Sequence, residues 1–179
     1  MAGIYKKIGF FLVASLISLI LIGLSLDSDF RASQSININA KATDIHPYVD
    51  DLKKWRHWSP WQTGQQKIRI SYGNVTQGVG ATQKWKDGDE YGRLVITASS
   101  PQNGIAYDVY FGADTVPSIS AIQYKTIKPG VTKVTWNIQG EIAIPIVGPY
   151  MAKLVAYQAS NAFIEGLSNL RSLVEKNKD

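Results

Sequence analysis

The sequence predicts an α+β domain in which a curved antiparallel sheet wraps around one long C-terminal helix, with a single apolar helix before it. Three observations predict this fold. The segment Ile8–Leu26 carries no charge, residues 67–139 alternate between apolar and polar side chains, and an apolar stripe begins near Gly148. Alternation with period two is typical of half-buried strands, and recurrence every three or four residues is typical of an amphipathic helix.

The uncharged segment Ile8–Leu26 is long enough to cross a membrane. At about 1.5 Å per residue it forms a helix of about 28 Å, close to the thickness of the hydrocarbon core of a bilayer. Lys6 and Lys7 precede it, and Asp27 and Asp29 follow it. The positive-inside rule therefore predicts a single-pass protein with a cytoplasmic N-terminus and a domain on the periplasmic or extracellular side.

The same segment has two alternative interpretations, a cleaved signal peptide and a buried core helix. Signal peptides have an apolar region of 7–15 residues and a small-residue cleavage site. Here the apolar run is longer, and SLDSDFRA after it holds no such site. We therefore expect an uncleaved anchor over residues 1–28 and a domain over residues 29–179, the size of one ordinary domain with a sizeable core.

Composition excludes several classes of site. The net charge is +5 at pH 7 and is spread along the chain, so no basic tail for nucleic acid is expected. The absence of cysteine removes disulfides, thiolate nucleophiles and zinc–thiolate sites. Asp87, Asp89 and Glu90 are too few for a calcium loop and fit a hairpin turn better. We expect no metal and no cofactor.

The domain begins with a strand and a helix. Ser33–Asn39 alternates and is predicted as a strand. Ala42–Trp58 is predicted as one helix with Thr43 as its N-cap, ending near Ser59 because Pro60 forbids continuation. A meander of short strands joined by tight turns follows. Its strands are predicted at 67–72, 81–86, 93–99, 105–111, 118–127 and 131–139.

The last predicted element is a long helix that opens with Gly148-Pro149, since proline suits the first helical turn. One continuous apolar stripe of about seven turns follows. It consists of Met151, Val155, Ala159, Phe163, Leu167, Leu170 and Val174. A helix of this kind is expected to bury its stripe against the concave face of the sheet.

The segment Trp55-Arg56-His57-Trp58-Ser59-Pro60-Trp61 resembles the W-x-x-W-S-P-W signature of the polyketide cyclase/dehydrase-like branch of the START-like (SRPBCC) superfamily. Gly78-Val79-Gly80-Ala81, Gly92–Thr97, Thr132–Trp136 and Gly166–Leu170 agree with it. The resemblance covers roughly residues 31 to 176. It implies a helix-grip fold, in which a seven-stranded antiparallel sheet grips the C-terminal helix around a hydrophobic cavity.

The candidate ligand-binding side chains are those expected to line this cavity. Pockets for small molecules are mostly apolar with a few polar groups. The candidates are Trp58, Trp61, Trp85, Tyr107, Val109, Trp136, Ile138, Tyr157 and Phe163. The three tryptophans of the signature would either rim the cavity or fill the core, and core filling is favoured because large aromatic side chains dominate cores. Tyr107, Tyr124, Asn137 and Tyr157 are candidates for polar contacts.

These observations favour a membrane-anchored domain that binds a lipid or another small hydrophobic molecule without covalent chemistry. The expected partners are that molecule and the membrane, through Ile8–Leu26; no nucleic acid is expected, and whether there is a protein partner is left open. One alternative is a cyclase or dehydratase acting on an apolar substrate, for which His57 and Asp108 are the candidate titratable groups. Another is a protein-interaction module in a complex of the cell envelope. The family branch and the composition suggest a bacterial protein. No residue is assigned a catalytic role.

Overall fold

The computed structural model describes residues 2–63, 68–113 and 115–177. The chain begins with the apolar helix α1 (Ala2–Ser25), and the domain ends with the long helix α4 (Gly148–Lys176). Between them the described residues form seven strands, two short α-helices and one 3-10 helix. In chain order these are β1 (Asp29–Ile38), α2 (Ala42–Val49), the 3-10 helix Leu52–His57, α3 (Pro60–Thr63), β2 (Arg69–Tyr72), β3 (Thr82–Asp87), β4 (Glu90–Ser100), β5 (Gly104–Phe111), β6 (Ser118–Lys128) and β7 (Val131–Glu141).

The seven strands form one curved antiparallel sheet in the order β1-β7-β6-β5-β4-β3-β2. Strands β2 to β7 are a meander, and β1 pairs with β7 at the edge of the sheet. Glycines with positive φ form tight turns, including Gly88 between β3 and β4 and Gly130 between β6 and β7. The predicted fold class, a sheet around a long C-terminal helix, is confirmed.

The single helix predicted over Ala42–Trp58 was wrong. Helix α2 ends at Val49, and the chain is extended at Asp51. The carboxylate of Asp51 accepts a hydrogen bond from the Lys53 N–H at 3.0 Å, which starts the separate 3-10 helix.

Two smaller expectations near these helices also differ from the structure. The N–H of Lys41 donates to the Asp44 carboxylate at 3.3 Å, so α2 begins before Thr43 and Asp44 caps it. Pro60 begins α3 instead of only ending a helix, because proline is tolerated at a first helical position. Lys67, the predicted start of the second strand, lies outside the described residues, and β2 begins at Arg69.

One end of the sheet lies beside α1. Asp29, at the start of β1, pairs with Glu141, at the end of β7. Val109 of β5 pairs with Ser118 of β6, so the β5–β6 connection leaves the sheet at this end too. The β7–α4 connection, residues 142–147, also begins here. We call this end of the sheet, at which these strands begin or end, the anchor end of the sheet.

Helix α4 packs mainly against β1 and β7, and its stripe is buried only in its C-terminal half. Phe163, Leu167, Leu170 and Val174 are almost completely buried. At Gly166 a Cβ would lie 2.8 Å from the Trp136 ring, so glycine allows α4 to approach the sheet closely. The predicted continuous burial of the stripe fails at its start, where Met151 is 40% exposed and the first two turns of α4 pack through Gly148, Pro149 and Ala152 instead.

Helix α1 is apolar over Lys7–Ser25 and long enough to span a membrane, and it could equally be a signal sequence. It contacts the domain at the start of α4. The Tyr150 hydroxyl donates to the Leu19 carbonyl at 2.8 Å. Gly23 lies against residues 142–147, since a Cβ there would be 2.5 Å from the Ile146 carbonyl oxygen.

Candidate functional site

Aromatic rings fill the centre of the space between the sheet and α4. Trp136 of β7 stacks on Phe163 of α4, with ring centroids 4.3 Å apart and planes 15° from parallel. Trp55 and Trp58 meet the same indole edge-on at 6.1 and 5.3 Å, and Trp61 meets it at 5.5 Å. We call the buried rings of Trp55, Trp58, Tyr107, Trp136 and Phe163 the aromatic cluster, which Trp61 meets from its edge.

The polar atoms of the aromatic cluster are hydrogen-bonded. Trp55 Nε1 donates to the Val49 carbonyl at 2.8 Å, and Trp58 Nε1 donates to the Tyr48 carbonyl at 2.9 Å. Trp136 Nε1 donates to the Tyr107 hydroxyl at 2.7 Å. Burial raises the pKa of Tyr107 to about 12, although hydrogen bonds to Ser120 and Trp136 oppose the rise. This neutral, buried phenol therefore serves packing.

The inner face of the sheet is the face that α4 covers. Toward the anchor end this face is only partly covered and is half-open to solvent. Sheet register puts Trp85, Val109, Phe111 and Ile138 on this inner face. Trp85 and Phe111 meet edge to face at 6.0 Å, and Phe111 is 44% exposed. The Trp85 ring lies against Gly92, where a Cβ would be 2.1 Å from it.

Trp61 joins this half-open region to the aromatic cluster. Its side chain is 42% exposed although it contacts the rings of Trp136 and Phe163. The neighbouring Gln62 donates to Gln83 of β3 at 3.0 Å, which fixes α3 over the inner face. We call the half-covered surface formed by Trp61, Trp85, Phe111 and Ile138, together with the buried Val109 of the same face, the apolar groove.

The nine predicted ligand-binding residues divide into three groups. Trp58, Tyr107, Trp136 and Phe163 lie in the buried aromatic cluster. Trp61, Trp85, Val109 and Ile138 lie in the apolar groove. Tyr157 is 67% exposed on α4 and joins neither group.

Phe111 was not among the predicted residues, although the sequence contained a signal for it. Alternation along β5 puts Tyr107, Val109 and Phe111 on the same face of the sheet.

The polar residues considered from the sequence lie away from the apolar groove. Asn137 faces the outer side of the sheet, where its amide donates to Gln123 at 3.3 Å. Asp108 pairs with Val95 on the same outer face. His57 is exposed at the end of the 3-10 helix. His57 and Asp108, the two titratable candidates for an enzyme, therefore both lie outside the apolar groove.

Tyr124 belongs to a buried polar cluster beneath α2, at the end of the sheet remote from the anchor end. The Ser99 hydroxyl donates to the Asp50 carboxylate and lies 3.2 Å from His46 Nε2. Because the hydroxyl proton is given to Asp50, Nε2 carries a proton and donates to Ser99. The His46 ring meets Tyr124 edge-on at 6.0 Å.

Two groups of the buried polar cluster have shifted pKa values. Burial raises the pKa of Tyr124, and the nearby Asp50 charge raises it further. Burial lowers the pKa of His46 below 6.5, and attraction to Asp50 opposes this only in part. His46 Nδ1 and the Tyr124 hydroxyl have no hydrogen-bond partner among the described residues. The cluster links α2 to the sheet, and the lowered pKa of His46 leads us to expect that this contact is sensitive to acid.

We expect stability to fall as the pH drops through 6.5. The unfolded chain then binds a proton on His46 more readily than the folded chain, so the free energy of unfolding decreases. Thermal unfolding at pH 7.5 and 5.5 measures the effect. In His46→Asn the drop in melting temperature between these pH values should be smaller. An equal drop in the variant would assign the acid sensitivity to other groups.

Exposed apolar side chains gather at the anchor end. They lie on the β5–β6 connection, the β7–α4 connection and the first two turns of α4. Val116, at 81% exposed, is the most open of them. We call this set the apolar rim: Val116, Ile144, Val147, Met151 and Leu154.

Two surface grooves lie outside the apolar groove. One, of about 320 Å³, lies between α2 and the end of α4 and is lined by Ala40, Asp44, Tyr48, Val174 and Asn177. The other, of about 440 Å³, separates the α1–β1 junction from α4. Arg31 and Lys153 line it together with Asp27 and Asp29, so it has no dominant charge.

A seven-stranded antiparallel sheet gripping a C-terminal helix over an apolar inner face defines a helix-grip protein. The model of the family described as polyketide cyclase / dehydrase and lipid transport matches residues 29–175. The chain belongs to this family, within the START-like superfamily. No curated protein matches the chain.

Solved structures of the same fold are distant in sequence. Norcoclaurine synthase from Thalictrum flavum, in complex with dopamine and hydroxybenzaldehyde, has 11% identity and a TM-score of 0.65, over 88% of this chain and 93% of that one. A protein from Thermobifida fusca has 14% identity and a TM-score of 0.58, over 84% and 95%. DynU16, from the dynemicin biosynthetic locus, has 11% identity and a TM-score of 0.53 over 83% of this chain. This chain spans 48% of the length of DynU16.

Proposed function

We propose that this chain is a membrane-anchored binding domain for a lipid or another small hydrophobic molecule. The observation that carries the proposal is the apolar groove, in which Trp61 and Phe111 remain 42% and 44% exposed beside a fully packed aromatic cluster. Large half-exposed aromatic side chains on a concave face are typical of a surface that receives an apolar guest. The family description, which includes lipid transport, agrees.

The binding mechanism is burial of apolar surface. A guest that lies on Trp85 and Phe111 removes its own apolar area and theirs from water. At about 25 cal/mol per Å², burial of about 200 Å² contributes about 5 kcal/mol before the cost of association. The aromatic cluster beneath is closely packed and hydrogen-bonded, so the guest should meet a surface that needs little reorganisation.

The anchor in this proposal is α1, with the N-terminus in the cytoplasm and the domain outside. Lys7 at its start and Asp27 beyond its end support this orientation under the positive-inside rule. A single cysteine introduced by Ile127→Cys tests the orientation, because the native chain has none. An impermeant maleimide should label it in right-side-out vesicles and not in sealed inverted vesicles. The reverse pattern would contradict the orientation.

The binding proposal predicts that Phe111→Asn removes most of the bound hydrophobic molecule. The matched control is Ile119→Asn, because Ile119 is 52% exposed at the same end of the sheet but on its outer face. Both full-length variants are extracted in an amphipathic polymer, and co-purifying molecules are compared by mass spectrometry. Lipids around α1 are common to both samples. We expect one class of molecule to be depleted at least fivefold in Phe111→Asn alone, and identical profiles would overturn the proposal.

A protein-interaction module is the second candidate function. The filled centre of the domain, together with the exposed apolar rim, favours it, since an exposed apolar patch typically marks an interaction surface. The two functions differ in where the apolar contact forms. A partner protein would cover the rim, whereas a small guest would lie in the groove against Phe111.

A further inference from the structure

We infer that the apolar rim is a second membrane contact, which lies in the interface of the same bilayer that α1 crosses. The inference rests on the anchor in the proposed function and extends it from the helix to the domain. Its occupant is a lipid surface. The inference predicts that the half-open end of the domain faces the bilayer.

The contact between α1 and α4 sets the depth of the rim. The Tyr150 hydroxyl bonds to the carbonyl of Leu19, and Leu19 lies six residues before Ser25, the end of α1. At about 1.5 Å per residue this carbonyl is about 9 Å below the end of the helix. The headgroup region is only about 5–8 Å thick on each side of the hydrocarbon core. Because Lys7–Ser25 matches the thickness of the hydrocarbon core, this carbonyl lies inside the core boundary. Helix α4 reaches it only through the tip of the Tyr150 side chain, and the length of that side chain brings the first turn of α4 to the level of the interface.

A second contact confirms that the two helices are close along this length. Gly23 is buried against residues 142–147, and no side chain larger than hydrogen fits there, because a Cβ would lie 2.5 Å from the Ile146 carbonyl oxygen. The β7–α4 connection is thus held against α1 two residues before its end. Ile144 and Val147 flank this point and are exposed.

The side chains of the rim suit this position. Its five residues are uncharged and large, and Val116 is 81% exposed on a separate connection of the sheet at the same end. Tyr150 beside them is half-exposed, and tyrosine is enriched where hydrocarbon meets headgroups. Lys153 on the same turns of α4 is exposed and long enough to reach the headgroups.

The experiment uses the full-length chain in phosphatidylcholine vesicles with one cysteine at a time. Val116→Cys and Val147→Cys report on the rim. Ile127→Cys is the matched control, since Ile127 is an exposed apolar residue at the opposite end of the sheet. Phe11→Cys reports on α1 itself. Each cysteine carries an environment-sensitive fluorophore, and its quenching by spin-labelled lipid and by aqueous iodide is measured.

We expect the fluorophores at positions 116 and 147 to be quenched by spin-labelled lipid at least twofold more than the one at 127. If spin-labelled lipid quenches the fluorophore at position 11 but does not quench those at positions 116 and 147 more than the one at 127, the rim contact alone is overturned. No lipid quenching at 11 overturns the anchor as well. If the fluorophores at positions 116 and 147 are shielded from iodide but are not quenched by spin-labelled lipid, the inference is also overturned and the rim is assigned to a protein contact.

Discussion

Replacement of Trp136 by alanine should lower the free energy of unfolding by about 4 kcal/mol, near the upper range for a buried aromatic side chain. The indole is fully buried, and it joins Phe163 of α4 to the rings of Trp55, Trp58 and Trp61. Its removal leaves a cavity where helix, sheet and the tryptophan segment meet. In a chain of this size the melting temperature should fall by about 10 °C.

The variant Trp136→Phe keeps one ring of the indole. A phenyl ring preserves a stack on Phe163 but loses the bond to the Tyr107 hydroxyl and part of the indole's edge contacts, so we expect a smaller loss, of about 2 kcal/mol. Thermal unfolding of the full-length protein, followed by far-ultraviolet circular dichroism, measures both variants. Equal losses in the two variants would mean that the stack on Phe163, which only the phenyl ring retains, contributes little to stability.

The second large effect is expected for Gly104→Ala, at the start of β5. Gly104 has a φ of 101°, and a Cβ there would lie 1.8 Å from the Ile122 carbonyl oxygen. That oxygen belongs to the backbone of β6, so it cannot move without separating β5 from β6. Backbone strain and overpacking together should cost about 3 kcal/mol.

Gly130→Ala is the matched control for this substitution. Gly130 also has a positive φ, 75°, but a Cβ there would have nothing within 4 Å. Only the conformational strain of about 1 kcal/mol is then expected. The melting temperatures of the two variants should therefore differ clearly. A loss in Gly104→Ala no larger than that in Gly130→Ala would mean that the sheet adapts to the added methyl group.

Most of the fold could be predicted because the patterns that determine it are local. Alternation located every strand of the meander, and Gly148-Pro149 marked the start of α4. The break after α2 was missed, yet its signal was present. Leu52, Trp55 and Trp58 recur at a spacing of three, which is the period of a 3-10 helix and not of an α-helix.

The candidate site was harder to predict because its limits depend on where α4 stops covering the sheet. Sequence alternation assigns Tyr107, Val109 and Phe111 to one face but does not say which of them is packed. The structure buries Tyr107 under Trp136 and leaves Phe111 half-open. For the same reason Met151 and Phe163 share one stripe of α4, although only Phe163 is enclosed.

The short connection between α1 and β1 limits how far the domain can move away from α1. Only residues 26–28 separate Ser25 from Asp29, and an extended chain of that length reaches about 10 Å. With α1 as its anchor, such a domain has no linker long enough to carry a bound guest to a facing membrane. It would exchange its guest with one leaflet only, so any onward delivery would require a recipient protein or membrane that comes to it.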